Sequence, residues 1–232
     1  MLVFGRNVAK AVLNKDIKVK KVYLQEKFKE KEIISLIEKK KFEVKIVSKN
    51  EMDRLCSGLH QGIVMDIPDY NYDTLDDFLK KEEDLVIILD HLEDPHNLGA
   101  IIRTCEAAGI KSIILPKDRQ VLVNSTVMKT SVGTLLDVSL VMVSNLNQAI
   151  NHLKEEGYWI VGTSLDESID YREIDYSGKT ALVIGNEGMG ISNLVSKNCD
   201  FLAKIPMYGK TNSLNASVAA GIMIYEMIRN RK

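Results

Sequence analysis

Three stretches hold polar side chains that a packed core has no use for. DHLEDPHNLGAIIRTCEAAG (90 to 109) carries Asn97 and Arg103, LVIGNEGMG (182 to 190) carries Asn186 and Glu187, and IPMYGKTNSLNASVAAG (205 to 221) carries Ser213 and Asn215. An arginine can clasp a phosphate with two parallel hydrogen bonds. An asparagine can fix a loop by donating and accepting at once, and glycines 185, 188 and 190 let the backbone approach a ligand closely. Each also has a plain structural use. Arg103 can pair with Glu106 three residues on, and Ser213 can cap a helix. Metal chemistry has little to draw on: there are four histidines, and His91 and His96 have no convergent ligands nearby in sequence. Cys56, Cys105 and Cys199 are scattered and odd in number, so they form neither a disulfide framework nor a zinc pattern.

Elements must hold these groups in place. Val86 to Leu89 reads as a buried strand, Asp90 to Pro95 as a polar loop, and 97 to 108 as a helix that Gly109 stops. A loop following a strand lies outside the strand's carboxyl end, where α/β proteins place their sites. Beyond residue 85 strands and helices alternate, which predicts an α/β domain with a mainly parallel sheet. Strands are expected at 85–89, 112–115, 138–142, 158–162, 181–184 and 201–205. Helices are expected at 97–108, 124–129, 145–156, 191–197 and 213–229. No GxGxxG follows the first of these strands and no P-loop is present, so neither dinucleotide nor nucleoside-triphosphate binding of those types is indicated.

Residues 1–67 read as a separate small α/β domain, with helices at 5–14, 32–40 and 51–55 and strands at 19–24, 42–47 and 60–67. A polar, acidic linker with a short helix at 75–81 occupies 68–84, and the larger domain takes 85–232. Apolar residues make up 45% of the chain, enough for packed cores, and no leader or membrane-length apolar run is read, which makes the cytoplasm the expected location. The net charge of −1 conceals a gradient. Residues 1–49 hold 14 Lys or Arg against 6 Asp or Glu, and residues 50–84 hold 3 against 10. The basic excess can face phosphates; a lysine-rich solvated surface is the plainer alternative.

The three blocks, in this order and spacing, resemble the SpoU, or TrmH, family of RNA ribose 2'-O-methyltransferases within the SPOUT superfamily. The resemblance implies a catalytic domain with a C-terminal deep trefoil knot, which no composition or periodicity would show. It implies S-adenosyl-L-methionine as cofactor, a homodimer, no metal, and a structured RNA as partner. Carried onto this chain, the catalytic positions are Asn97, Arg103, Glu187, Ser213 and Asn215. Cofactor contacts fall at Gly162, Thr163, Ile184, Gly185, Glu187, Ile205, Met207, Ser213, Leu214 and Asn215. The family's proposed mechanism uses the arginine as general base, a role to which a guanidinium is poorly suited because its pKa stays above about 12. KTSVGTLLDV (129 to 138) resembles the family's Lys-x-Ser-x-Gly-Ala stretch, with Thr134 where Ala is usual. The layout of 1–67, with Gly5-Arg6-Asn7 and His60-Gln61-Gly62, resembles the family's small L30e-like RNA-binding domain.

The branch that this layout most resembles methylates a guanosine of 23S ribosomal RNA. A transfer RNA guanosine 2'-O-methyltransferase and a non-catalytic RNA-binding protein on the same fold are the alternatives.

Overall fold

Short apolar runs near the N-terminus, one of them alternating with polar residues over 21–25, build a four-stranded sheet. In a computed structural model, which describes residues 1–165, 168–229 and 231, the chain divides into two compact units. The first takes Met1–Asn71 together with a later segment, Val123–Leu136. Its elements begin with β1 (Leu2–Phe4), α1 (Arg6–Leu13), β2 (Lys21–Gln25) and α2 (Lys31–Lys40). They continue with β3 (Val44–Val47), α3 (Lys49–Leu55) and β4 (Ile63–Asp66). The sheet order is β1-β4-β2-β3, antiparallel at both β4 pairings and parallel between β2 and β3.

Each helix of this unit has a local cause. α1 turns Val8, Ala9, Val12 and Leu13 inward at helical spacing. α3 starts at a capping box, in which the Ser48 side chain takes the Glu51 backbone N–H and the Glu51 side chain takes that of Ser48. β1 was not expected, because three residues are too short to show a period; it exists by pairing Leu2, Val3 and Phe4 with Asp66, Met65 and Val64.

The later segment departs from the expected boundary, which gave everything from residue 85 to the second domain. Val127, Met128 and Leu135 are buried, and the helix Ser125–Thr130 packs on β1. Gly133 lies so near α1 that an added Cβ would sit 2.5 Å from Ala11 Cβ. Packing groups the segment with the first unit, where sequence order had suggested the second.

The second unit, Tyr72–Leu122 with Asp137–Lys232, is built on a seven-stranded sheet. In order along the chain come α4 (Leu75–Leu79), β5 (Leu85–Asp90), α5 (Pro95–Ala107) and β6 (Ser112–Pro116). After α6, the helix Ser125–Thr130 already described, follow β7 (Ser139–Val143), α7 (Leu146–Glu155), β8 (Trp159–Thr163) and β9 (Ile169–Asp170). β10 (Thr180–Gly185), α8 (Asn193–Lys197), β11 (Phe201–Lys204) and α9 (Ala216–Arg229) complete it. All pairings are parallel, in the order β7-β6-β5-β10-β8-β11-β9.

The central strands carry unbroken apolar runs, Val86–Leu89 and Ala181–Ile184, as expected where helices cover both faces of a parallel sheet. β5 leads outward through β6 to β7, whereas β10 leads the other way to β11. Between β5 and β10 the order therefore reverses, and their last residues, Asp90 and Gly185, are register partners. A crevice opens at such a reversal. The two-residue strand β9 was not read from the sequence, again for want of length. No helix among the described residues is long and apolar enough to cross a membrane.

Candidate active site

Asp90, at the end of β5, is 1% exposed and fully engaged. It accepts from the Ser192 backbone N–H at 2.5 Å and pairs with His91 Nδ1 at 2.6 Å. His91 adopts a left-handed conformation (φ 61°), a turn that a non-glycine residue makes only at some cost. Its carbonyl accepts from Asn186 Nδ2 at 2.8 Å, tying the β5 loop to the β10 loop.

That second loop is itself closed tightly. Asn186 and Gly190 exchange two backbone hydrogen bonds at 2.9 and 3.0 Å, and Asn186 Oδ1 accepts from Gly188 N at 2.9 Å. Gly185 has no substitute here, since an added Cβ would fall 2.1 Å from the Gly190 carbonyl carbon. The obstacle is backbone, which cannot swing aside.

Three of the expected catalytic residues meet in one chain of hydrogen bonds. Asn215 Oδ1 accepts from Ser217 N at 3.0 Å and Val218 N at 3.4 Å, so it caps α9. Its Nδ2 then donates to Asn97 Oδ1 at 2.9 Å, and Asn97 Nδ2 donates to Glu187 Oε1 at 2.8 Å. Each amide's orientation is dictated by the one before it, starting from helix N–H groups that can only donate. Glu187 thus receives a hydrogen bond fitted to a carboxylate. Asn97 is 4% exposed and both its polar atoms are paired, so it serves as the rigid link.

α9 begins at Ala216, three residues later than expected, because Asn215 and not Ser213 supplies the cap. At the other end of the network, α5 starts at Pro95 with Asp94 accepting from His96 N at 2.8 Å. Arg103 lies two turns further along α5. It is exposed, lies outside the cleft wall, and has no hydrogen-bond or ion-pair partner among the described residues.

A cleft of about 950 Å³ opens beside this network at the carboxyl ends of the strands. Thr163, Ile184, Gly185, Glu187, Ile205, Met207, Ser213 and Leu214 line it. Asn215, exposed between the lining residues Leu214 and Ala216, is bonded to Asn97. Gly162, expected as a cofactor contact, is buried within β8, and an added Cβ would lie 2.7 Å from Cys199 Sγ and 2.8 Å from Ile191 Cδ1. It lets these side chains pack under the cleft and does not form its surface. The same burial pushes the Cys199 thiol up to about 12, so it stays protonated there.

Sequence reading missed Asp90, Glu93 and Arg119 in this wall. Asp90 left a signal, a carboxylate directly after four apolar strand residues. The lining combines apolar side chains (Leu165, Ile184, Ile205, Met207, Leu214) with the carboxylates of Asp90, Glu93 and Glu187 and the guanidinium of Arg119. Small residues of α9, Ala216 and Ala219, leave room on one side. Such a cleft suits an apolar planar body joined to a cationic centre. Among the described residues, no group of three or more His, Cys, Asp and Glu side chains is placed to hold a metal ion.

The chain is similar to known proteins along nearly its whole length. The SpoU rRNA methylase family model matches residues 84–225, and the RNA 2'-O ribose methyltransferase substrate-binding model matches residues 2–73. A Staphylococcus haemolyticus protein described as a TrmH family tRNA/rRNA methyltransferase is 41% identical over 239 residues, covering 100% of this chain and 96% of the relative. Among solved structures, the AdoMet-bound rRNA methyltransferase of Sinorhizobium meliloti is 28% identical over 98% of this chain and 86% of its own, with a TM-score of 0.84. The A. aeolicus TrmH/SpoU tRNA modifying enzyme is 35% identical over 68% of this chain and 84% of its own, with a TM-score of 0.60.

Proposed function

The chain belongs to the SpoU family of S-adenosylmethionine-dependent RNA methyltransferases, and from that premise we propose that it methylates the ribose 2'-hydroxyl of a guanosine in 23S ribosomal RNA. The observation that carries the reaction is the Asn215–Asn97–Glu187 network beside the cleft. Reach along the chain favours the ribosomal substrate: the rRNA methyltransferase neighbour aligns with 98% of the chain, the tRNA-modifying one with 68%.

The residues present fit the cofactor. Apolar side chains accept an adenosine, the Ile205–Met207 backbone leaves the sheet and can meet the adenine edge, and the carboxylates of Glu93 and Glu187 favour a cation. Bound S-adenosylmethionine supplies an electrophilic methyl on a sulfonium. The work of the chain is placement, since in-line transfer fails when the reacting atoms are poorly aligned. Asn97 holds Glu187 and Asn215 in register at the mouth of the cleft. Ser213 lies in the wall beside Leu214 and orients groups entering there. Thr163 donates its hydroxyl proton to the Val183 carbonyl at 3.1 Å, which turns its methyl group toward other neighbours.

Arg103, exposed on α5, clasps the phosphate next to the target ribose. Its charge makes it an anchor, and the hydroxyl proton passes to another acceptor. The first unit serves as an L30e-like RNA-binding domain. The larger unit forms a C-terminal trefoil knot and pairs as a homodimer in the cytoplasm; exposed Val218 and Tyr225, seven residues apart on α9, offer an apolar stripe for that pairing.

Transfer of labelled methyl from S-adenosylmethionine to separate pools of unmodified ribosomal and transfer RNA, with mapping of the modified nucleotide, tests this reading. Label in one guanosine of large-subunit RNA is expected. Label in transfer RNA overturns the substrate, and label on a base overturns the chemistry.

A further inference from the structure

The first unit carries a cavity of its own, about 730 Å³ in volume, lined entirely by that unit's residues. Its lining holds four cations against two carboxylates, Glu26 and Asp53, and two large apolar side chains. Phe28 supplies a half-buried aromatic ring, and Leu59 stands beside the cavity 74% exposed. Around them are Arg6, Lys27, Lys29 and Lys49.

The ring and the loop facing it are held in place. Gly62 (φ 85°) brings bare backbone against Phe28, where an added Cβ would sit 2.9 Å from Phe28 Cδ2. His60 Nδ1 accepts from Gly62 N at 3.0 Å, so its proton lies on Nε2 and is given to Asp53 Oδ1 at 2.9 Å. His60 is 8% exposed and fully occupied by these two bonds, which makes it a positioning residue and ties up the Asp53 carboxylate. Arg6 is tethered more loosely. Its guanidinium lies 5.8 Å from the Phe28 ring centre, reaches Glu30 Oε2 at 3.3 Å, and donates from Nε to the Gln61 carbonyl at 3.4 Å. These are long, exposed contacts that a phosphate can displace.

We propose that this cavity is a subsite for one unpaired RNA nucleotide, whose base stacks on Phe28 against Leu59 while Arg6, Lys27, Lys29 and Lys49 neutralise the adjoining phosphates. The proposal rests on the RNA reading of the preceding section and specifies it: the first unit grips a single-stranded element, not a duplex. Single-strand binders combine these parts, a stacking ring for the base face and a basic margin for the backbone. Duplex RNA keeps its bases stacked on one another and would leave the Phe28 ring unused.

The test uses the full chain and a short single-stranded RNA carrying one 2-aminopurine, at fixed salt. Binding should quench the fluorescent base. Phe28→Leu should abolish the quench and weaken binding about tenfold, while Phe28→Trp, which restores a stacking face, should keep both. Equal thermal melting of the two variants removes misfolding as the cause. The proposal is overturned if Phe28→Leu binds and quenches like the parent, if the strand does not bind, or if a blunt duplex of the same sequence competes equally. Methyl transfer, measured in parallel on ribosomal RNA, separates the two readings. Transfer without Phe28-dependent quenching sinks the subsite alone, and quenching with no transfer to any RNA sinks the catalytic reading alone.

Discussion

In the seven-stranded unit the polar groups are tied to one another before a ligand arrives. Asn97 is buried with both amide atoms paired, Asp90 is buried between His91 and Ser192, and Gly185 is locked under the Gly190 backbone. In the four-stranded unit the pattern is reversed. Its neutral groups are fixed, His60 above all, but Lys27 and Lys29 stand in solvent and Arg6 is held by contacts of 3.3 and 3.4 Å. The first arrangement suits a reaction that demands alignment to a fraction of an ångström. The second suits a polyanion whose conformation the protein does not dictate, since solvated charges adapt at little cost and act through counterion release. The contrast implies that damage to the cleft should appear in rate and damage to the basic cavity in affinity.

Arg103 offers the sharpest way to break that division, because it is solvated like the lysines yet belongs to the catalytic unit. Arg103→Ala should lower turnover by at least about a hundredfold, leaving cofactor affinity and thermal stability nearly unchanged. Single-turnover methyl transfer and calorimetric cofactor titration check this. A mutant that merely raises KM for RNA would move Arg103 to the side of the adaptable charges.

Asn97→Ala comes next in expected size. It strips partners from Glu187 and Asn215 at once; both are exposed and water can replace the lost contacts, so each hydrogen bond is worth about 0.5–1.5 kcal/mol net. Stability by denaturant titration should fall accordingly, with turnover down about tenfold or more. Unaltered turnover in a destabilised protein would mean that the network supports the fold alone.

These residues also show what the chain discloses as text. The strand, loop and helix over 86–109 were legible because an apolar run, a proline-closed loop and a stopping glycine all act locally. The elements of three and two residues, Leu2–Phe4 and Ile169–Asp170, were illegible because they exist only through their partners' ladders. Ser213 was the cap expected for α9; the role falls to Asn215, whose amide also meets Asn97, 118 residues away. The company of 123–136 was hidden for the same reason, since Val127 and Met128 look like ordinary core residues and only packing says whose core they join. Gly162, a cofactor contact that the resemblance implies, has Cys199 and Ile191 as close neighbours, which no local pattern would disclose.

The grouping of 123–136 with the first unit decides how the basic cavity is best probed. Deleting residues 1–67 would uncover Val127, Met128 and Leu135 together with the RNA site, so lost binding would not be separable from lost packing. Lys27→Ala with Lys29→Ala avoids this, both side chains being exposed. RNA affinity should fall severalfold, and the slope of log affinity against log salt should flatten by about 0.7 for each phosphate contact removed. Turnover at saturating RNA and cofactor affinity should stay as they were. A flattened slope with unchanged turnover would place the two lysines outside the chemistry. A drop in turnover at saturation would instead mean that the basic cavity takes part in aligning the ribose, and the division of labour between the two regions would have to be abandoned.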